Sequence, residues 1–167
     1  MKKALLAAAL LAVSAPSLAL TGLTVGANGG VTRLSGNGSN EYGHEVGIHA
    51  SYSVAPFLSV SGGYTAGEGK VATSLNQTKT TVDYTTIPVE LRADIPLLIG
   101  DVYAKAGANY YDVNHNSTIN DSGWGFSGGA GFVLTFLPVL EMTLGYEYRE
   151  MGELTTDSVI LSIGADL

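Results

Sequence analysis

The stretch Val139-Leu-Glu-Met-Thr-Leu-Gly-Tyr-Glu-Tyr-Arg149 alternates between apolar and polar residues along its length. A period of two predicts a β-strand, because a helix would scatter the same residues around its axis. The alternation returns at residues 45–54, 58–66, 102–110, 123–134 and 159–167. Two less regular stretches, 21–34 and 81–94, bring the predicted number of strands to eight.

Alternation alone does not decide which face of such a sheet is wet. In a soluble sandwich the apolar face is the core, whereas in a membrane barrel it contacts lipid and the polar face lines the lumen. Charged residues make up 14% of this chain, against about 25% in soluble domains. The polar faces carry mostly Gly, Ser and Thr, which suits the narrow interior of an eight-stranded barrel.

The N-terminus has the pattern of a secretory signal peptide. Lys2 and Lys3 precede an apolar run over residues 4–13, and small residues follow up to Ala19. The apolar run is too short for a spanning helix, so we expect cleavage after Ala19. Residues 20–167 then form a single domain, whose length is sufficient for one barrel.

The charge balance and the missing cysteines exclude several classes of protein. Without residues 1–19 the chain keeps six basic and fifteen acidic residues, a formal charge of 6 − 15 = −9. That balance argues against nucleic acid as a partner. The chain has no cysteine, so disulfides do not hold the sheet together. No run of eighteen apolar residues follows residue 19, so strands rather than helices are expected to cross a membrane.

The connections between the predicted strands alternate in kind. Turns at 55–56, 95–100 and 137–138 are short and contain proline, whereas loops at 35–41, 67–80, 112–122 and 150–157 are longer and polar. Short turns on one side and long loops on the other are typical of outer-membrane barrels. Six aromatic residues at the long-loop ends of strands are predicted to form an interfacial girdle: Tyr42, Tyr64, Tyr84, Tyr110, Trp124 and Tyr148. The apolar phase slips in the fourth strand, which predicts a β-bulge at residues 86–88.

Three stretches and the alternating C-terminal strand carry a resemblance to a known family: Ile87-Pro-Val-Glu-Leu-Arg92, Val102-Tyr-Ala-Lys-Ala-Gly-Ala-Asn-Tyr-Tyr111 and Trp124-Gly-Phe-Ser-Gly-Gly-Ala-Gly131. The chain resembles the small eight-stranded outer-membrane β-barrels, which include the OmpA transmembrane domain, the OmpX/Ail group and porin-like outer membrane protein β-barrel domains. The resemblance implies an all-β, antiparallel up-and-down barrel in the bacterial outer membrane. It also implies recognition of the C-terminal strand by the barrel-assembly machinery, although this chain ends in Leu167 rather than the usual aromatic residue.

Seven charged residues fall on inward faces: Glu45, Glu90, Arg92, Lys105, Glu141, Glu147 and Arg149. Isolated charges in a narrow lumen are costly, so these residues are expected to pair. A symmetric hairpin centred at residues 98–99 pairs residues whose numbers sum to 197 and places Arg92 opposite Lys105. Glu90 and Glu141 are then the expected partners of these cations, with Glu147 or Glu45 as substitutes. The predicted role of the network is a plug, and the alternative is a gated ion path.

The motif His49-Ala-Ser51 invites comparison with the outer-membrane lipid A deacylases of the PagL type, which are eight-stranded enzymes with a His-x-Ser motif. The alternation points both side chains into the lumen and away from lipid, and a hydrolase also needs a carboxylate to orient its base. We therefore predict no catalytic residue. The three histidines lack the spacing of a zinc site, so neither a metal nor a cofactor is expected.

Together these features predict a non-enzymatic, monomeric outer-membrane barrel with surface-exposed loops. Its expected contacts are outer-membrane lipid around the wall and an unidentified extracellular ligand at the long loops. The expected role is adhesion, another surface interaction, or envelope integrity. Two alternatives stay open at this point: a lipid-modifying outer-membrane enzyme and a soluble periplasmic ligand-binding barrel.

Overall fold

A computed structural model of the chain describes residues 22–36, 39–72, 79–115, 119–137 and 139–167. These residues form a closed barrel of eight strands, each antiparallel to its neighbours. In chain order the strands are β1 (Leu23–Gly36), β2 (Ser39–Ala55), β3 (Leu58–Ala72), β4 (Lys79–Leu97), β5 (Gly100–His115), β6 (Ile119–Leu137), β7 (Leu140–Met151) and β8 (Leu154–Asp166). The predicted up-and-down barrel is confirmed. The predicted signal peptide lies outside the described residues and stays a prediction.

The barrel closes where β1 pairs with β8, from Thr24 opposite Asp166 to Ser35 opposite Thr155. Closure leaves no strand edge with unpaired main-chain groups, which is the condition for placing a sheet in lipid. Within the described residues, no helix has the length and apolar character needed to cross a membrane.

The two faces of the wall follow the predicted alternation. On β7, Leu144 and Tyr146 are exposed on the outside of the barrel, whereas Thr143, Glu147 and Arg149 are buried inside it. The outward residues predicted on β2, β3, β5 and β8 are likewise on the outside. The outer surface is therefore apolar over most of its height, and the inner surface is polar.

Glycines on the inner face leave room for large inward side chains. A Cβ added at Gly131 would lie 2.7 Å from Cε1 of Tyr103, and one added at Gly67 would overlap the ring of Tyr84. Such contacts explain why the sequence places glycine opposite bulky residues in so narrow a lumen.

The two ends of the barrel differ, and we name them by their connections. The turn end holds both termini of the barrel and the connections from β2 to β3, from β4 to β5 and from β6 to β7. The loop end holds the other four hairpins, whose connections are shorter than predicted. The ladder between β3 and β4 continues to Ala72 opposite Lys79, and that between β5 and β6 to His115 opposite Ile119.

The four predicted long loops are therefore wrong in extent, because most of their residues extend the strands. Polar composition is typical of loops and led to this prediction. Main-chain hydrogen bonds, however, hold a ladder together whatever its side chains are, and threonine favours strands. Between β7 and β8 only two residues turn the chain, where Gly152 adopts a φ of 65° that other residues rarely adopt.

The predicted bulge at residues 86–88 is wrong. Gly62 pairs with Val89 and Thr65 pairs with Thr86, and both pairs sum to 151, so β4 gains no extra residue. The ladder to β5 is also uninterrupted across this region, from Val82 opposite His115 to Leu97 opposite Gly100. The backbone therefore keeps its register while the apolar side chains of β4 change sides.

The change of side marks a reversal of polarity near the loop end. Val82 and Tyr84 point inward and are fully buried, while Asp83 between them points outward. The inward residues form an apolar group that we call the loop-end cluster: Leu34, Val82, Tyr84, Tyr111, Val113 and Met151, with Leu154 packed against them. Such a reversal is expected where the medium outside a barrel changes from lipid to water.

The same reversal corrects one member of the predicted aromatic girdle. Tyr84 is 1% exposed and lies in the lumen. The other five predicted members are on the outer surface: Tyr42, Tyr64, Tyr110, Trp124 and Tyr148. Tyr110 and Trp124 pack edge to face with ring centroids 5.6 Å apart, a geometry that aromatic pairs prefer.

Candidate functional site

Five of the seven inward charges form one continuous chain across the middle of the lumen. The Nη1 atom of Arg149 donates to both carboxylate oxygens of Glu45, at 3.1 and 3.0 Å. Its Nη2 atom donates to Oε2 of Glu147. The other oxygen of Glu147 lies 2.5 Å from Nζ of Lys105, which in turn is 2.9 Å from Oε2 of Glu90. We call this group the ion-pair chain.

The ion-pair chain is dry at one end and adjoins a cavity at the other. The side chains of Glu45 and Arg149 are 1% and 2% exposed, whereas that of Lys105 is 13% exposed. At the dry end, the hydroxyl of Tyr84 donates to Oε2 of Glu45 at 2.7 Å. This hydrogen bond connects the ion-pair chain to the loop-end cluster, so the two layers lie in contact.

The register between β4 and β5 confirms the predicted sum of 197, with Arg92 directly opposite Lys105. The two cations avoid each other by turning to different partners. Arg92 donates to Oδ1 of Asp94 from Nε at 2.8 Å and from Nη2 at 2.6 Å. Its guanidinium also lies 4.4 Å from the ring centroid of Tyr103, a cation–π contact.

The structure does not bring Glu141 into the ion-pair chain. Among the described residues, Glu141 makes no ion pair, and its carboxylate lies beside Gly164 near the turn end. Glu147, six residues further along β7, bridges Lys105 and Arg149 instead. Sequence reasoning missed Asp94, although its same-face position two residues after Arg92 was a usable signal.

A small cavity lies between the ion-pair chain and the turn end. Its free volume is about 50 Å³, and its lining includes Asn28, His49, Thr143 and Ser162. A polar cavity needs roughly 10–15 Å³ for each water it holds, so a few waters fit here. Two buried polar atoms of lining residues have no protein partner within the described part of the chain, Oδ1 of Asn28 and Nε of Arg149, and water could satisfy both.

His49 and Ser51 both line this cavity, as the alternation predicted. The Nε2 atom of His49 lies 3.4 Å from Oγ of Ser162 on β8, and its ring packs over Gly26. In the described structure no carboxylate accepts a hydrogen bond from His49. The residues therefore lack the base–carboxylate arrangement of a hydrolase, and they face away from the lipid side of the wall.

The residues of the loop end carry a net negative charge. Eight acidic residues lie there in the described strands and turns, against three basic residues, Arg33, Lys70 and Lys79, so the net charge is 3 − 8 = −5. The acidic residues are Glu41, Glu68, Asp83, Asp112, Asp121, Glu150, Glu153 and Asp157. Two of these carboxylates lie near basic side chains, Asp157 at 4.0 Å from Arg33 and Glu68 at 3.6 Å from His44. Within the described ranges, no three potential ligands converge on a metal site.

Comparisons with known proteins agree with this architecture. A family model described as the outer membrane protein beta-barrel domain matches residues 4–166. The crystal structure of Neisserial surface protein A has 16% identity and a TM-score of 0.76, and the match covers 88% of this chain and 98% of that one. Yersinia pestis Ail in complex with the heparin analogue sucrose octasulfate has 15% identity and a TM-score of 0.62, over 88% and 99% of the two chains.

A third solved structure is the N-terminal β-barrel domain of Pseudomonas aeruginosa OprF. Its identity is 13% and its TM-score 0.50, and the match covers 86% of this chain and 97% of that domain. A search among curated proteins finds no match. At these identities the solved structures support the fold of the chain, while its loop end has to be interpreted from its own residues.

Proposed function

The chain belongs to the outer membrane protein β-barrel family, and on that premise we propose that it is a non-enzymatic surface protein whose loop end, rather than its lumen, meets its partner. It lies in the bacterial outer membrane, with its exposed apolar wall in contact with lipid. A soluble periplasmic barrel is therefore excluded. The proposed role is adhesion or another contact at the cell surface.

The observation that carries this proposal is the filled lumen. Glu45, Glu147 and Arg149 of the ion-pair chain are at most 4% exposed, and the loop-end cluster is buried above them. Eight strands enclose an interior that side chains can fill, and here two layers of different chemistry fill it. The hairpins of the loop end are then the surface that remains available to a partner outside the cell.

Ion conductance across planar lipid bilayers tests the proposed plug. We expect the purified barrel to give no conductance steps, because the ion-pair chain and the loop-end cluster both lie across the path. Replacing Tyr84 and Met151 with serine shortens two of the six side chains of the loop-end cluster, and this variant should also give no steps, because the ion-pair chain still crosses the lumen. Regular steps from the unmodified protein would favour the alternative of a gated ion path.

We further propose that the partner is cationic or neutral rather than a sulfated polyanion. The loop end carries a net charge of −5 on its described strands and turns, and like charges repel across an interface. The Ail structure contains a heparin analogue, but a similar ligand would meet a loop end of net negative charge on this chain. Shared fold therefore does not transfer that ligand here.

Binding by whole cells tests this partner class. Cells with and without the protein are compared on surfaces coated with a lysine-rich peptide and on surfaces coated with heparin. We expect the protein to increase adhesion to the peptide only. The matched control exchanges Glu68, Asp83 and Asp112 for lysine, which leaves the lumen untouched and should abolish the increase. A protein-dependent increase on heparin would contradict the proposed partner class.

The absence of enzymatic activity is tested at His49 and Ser51. We expect lipid A to be the same in cells that express the wild type, His49→Ala, Ser51→Ala or no protein, because both side chains face the internal cavity. Mass spectrometry of extracted lipid A measures this directly. Loss of an acyl chain that requires both residues would identify the protein as a deacylase.

Two further proposals concern assembly. We propose that the barrel-assembly machinery recognises β8, whose outward residues Val159, Leu161 and Ile163 are all exposed. We also propose a monomer, since closure of β1 on β8 leaves no open edge for another chain. Replacing the outward Leu161 with aspartate should lower the assembled amount, as measured by heat-modifiable migration on gels.

A further inference from the structure

The outward charges at the loop end are distributed unevenly around the barrel. Next to the apolar band, β4, β5 and β7 carry the outward acidic residues Asp83, Asp112 and Glu150, and none of the outward side chains described on β4 to β7 is basic. Two basic side chains are described at this level, Arg33 on β1 and Lys70 on β3, and both are exposed. The cations described on the outer surface are therefore confined to one sector of the wall, from β1 to β3.

Strand register places Arg33 and Lys70 on either side of one tyrosine. Arg33 is opposite Tyr42 in the ladder between β1 and β2. The ladder between β2 and β3 begins with Gly43 opposite Gly69, so Tyr42 and Lys70, the next residues of these strands, are neighbours. Adjacent strands lie about 4.8 Å apart, which puts roughly 10 Å between the Cα atoms of Arg33 and Lys70. Both side chains are long enough to meet over the ring of Tyr42.

These three side chains carry hydrogen-bond donors that the described protein leaves unused. Tyr42 is 74% exposed, and within the described residues neither its hydroxyl nor the ammonium of Lys70 has a hydrogen-bond or ion-pair partner. Arg33 is approached at its Nε atom, which lies 4.0 Å from Oδ2 of Asp157. Asp157 in turn accepts a hydrogen bond from the hydroxyl of Tyr146. The terminal nitrogens of Arg33 thus remain available to an acceptor outside the protein.

The row of Arg33, Tyr42 and Lys70 lies directly beyond the lipid-facing wall. Val31, two residues before Arg33 on β1, is apolar and 60% exposed. Two residues of a tilted strand advance about 5 Å along the barrel axis, and the headgroup layer beside the hydrocarbon is about 5–7 Å thick. Arg33 therefore lies at the level of lipid headgroups. Lys70 starts further from the apolar band, but its flexible stem lets the ammonium reach the same layer.

The carboxylates near this row lie at its edges rather than within it. Asp157, on β8, lies beyond Arg33. Glu68, on β3, has its carboxylate 3.6 Å from Nε2 of His44. Between the two cations of the row stands the neutral ring of Tyr42. An anion placed over this ring meets positive charge on both sides, an arrangement that no other outward position among the described side chains offers.

We propose that Arg33, Tyr42 and Lys70 form a binding site for the phosphate groups of lipid A in the outer leaflet. A guanidinium and an ammonium on either side of a phenol supply the donors that a phosphate accepts. The site is continuous with the lipid-facing wall, so acyl chains of the same molecule lie against Val31 and Val46, which are both exposed. This inference rests on the outward placement of the loop end, and not on the partner proposed for its hairpins.

Native mass spectrometry of the folded barrel in a neutral detergent tests this site. The probes are bisphosphorylated lipid A and the same lipid with both phosphates removed, each titrated separately. The test variant combines Arg33→Gln with Lys70→Gln, and a second variant, Tyr42→Phe, removes the hydroxyl alone. The matched control combines Thr85→Glu with Ser122→Asp, which lowers the net charge by the same amount on the opposite sector. Heat-modifiable migration on gels confirms that each variant is folded.

We expect the wild type to bind the bisphosphorylated lipid at least about tenfold more tightly than the dephosphorylated lipid, because charge-assisted hydrogen bonds add to the apolar contact. The test variant should lose this preference, Tyr42→Phe should reduce it by a smaller factor, and the matched control should keep it. An unchanged preference in the test variant would overturn the proposal. An equal loss in the matched control would assign the preference to net charge and would also overturn it. Displacement of bound lipid A by millimolar inorganic phosphate would assign the site to the free anion, with the same consequence.

Discussion

The two ends of the barrel are built with opposite polarity. At the turn end the outside is apolar, as at Leu91 and Ile95, and the inside is charged, as at Arg92 and Asp94. At the loop end the outside carries charges such as Asp83, and the inside holds the apolar side chains of Val82 and Leu34. The backbone register is the same throughout β4. The medium around the wall, rather than the backbone, therefore decides whether the inward-facing or the outward-facing residues of a strand are apolar.

The largest expected effect comes from removing Arg149, the buried cation between Glu45 and Glu147. Arg149→Met leaves Glu45 and Glu147 buried without their common partner, which should cost about 3–5 kcal/mol in the free energy of unfolding. Urea titration of the barrel in lipid vesicles measures it. The matched control is Arg33→Met on the outer surface, where the pair with Asp157 is long and exposed, so a change of about 0–1 kcal/mol is expected. Equal losses of unfolding free energy in Arg149→Met and Arg33→Met would mean that water reaches the ion-pair chain.

The next effect tests the outer face on each side of the reversal. Leu91→Arg places a cation in the apolar band and should cost about 2–4 kcal/mol, whereas Asp83→Arg on the same face of β4 lies beyond the band and should cost about 0–1 kcal/mol. Folding yield and unfolding free energy in lipid vesicles distinguish the two. Similar costs for both substitutions would place the lipid boundary nearer to the loop end than the reversal does.

The alternation made much of this architecture predictable from sequence. β7 shows both faces clearly, and the symmetric hairpin at 98–99 sufficed to pair Arg92 with Lys105. Periodicity predicts a local geometry, and the ladders of the barrel carry it from strand to strand. The inward position of all seven charges followed from this pattern, whereas the barrel was predicted from composition and from the alternation of short and long connections.

The errors arose where a local pattern depends on the surroundings. On β4, the apolar residues change from even numbers, up to Tyr84, to odd numbers, from Ile87 onwards. This pattern is typical of a bulge, and the sequence does not indicate that water replaces lipid outside. The ion-pair partner of each charge could not be predicted from the sequence either. Glu141 and Glu147 share a face of β7, and only strand tilt decides which of them meets Lys105. The polar hairpins were predicted as loops because nothing in their sequence indicates that the strands on both sides stay paired there.

A smaller effect is expected at the wetter end of the ion-pair chain. Glu90→Gln removes one carboxylate from Lys105, which keeps Glu147, and should cost about 1.5–3 kcal/mol. Adding Lys105→Met should restore part of that loss, so the two changes are expected to be non-additive in a double-mutant cycle. Arg92 pairs with Asp94 instead, so Arg92→Met serves as the control. Its cost in unfolding free energy should add independently to that of Glu90→Gln. Strict additivity for Glu90 and Lys105 would mean that their contact contributes nothing to stability.

The smallest effect is the sharpest test of the reversal, because it exchanges two isosteric residues on one face of one strand. Val82 and Thr86 both point inward, and both are 0% exposed. Val82 belongs to the loop-end cluster, whereas Oγ1 of Thr86 has no hydrogen-bond partner within the described part of the protein. Val82→Thr buries a hydroxyl among apolar side chains and should cost an amount near the lower end of about 1–3 kcal/mol.

Thr86→Val is the reciprocal change and should leave stability unchanged or raise it slightly, since it removes a hydroxyl that no protein group satisfies. The two variants have nearly the same volume, so packing contributes little to the difference between them. Urea unfolding in lipid vesicles measures both under one condition. A neutral Val82→Thr would mean that water reaches the lumen at that level. The inward-facing apolar residues would then not form a dry layer, and the contrast between the two ends would hold only for the outer surface.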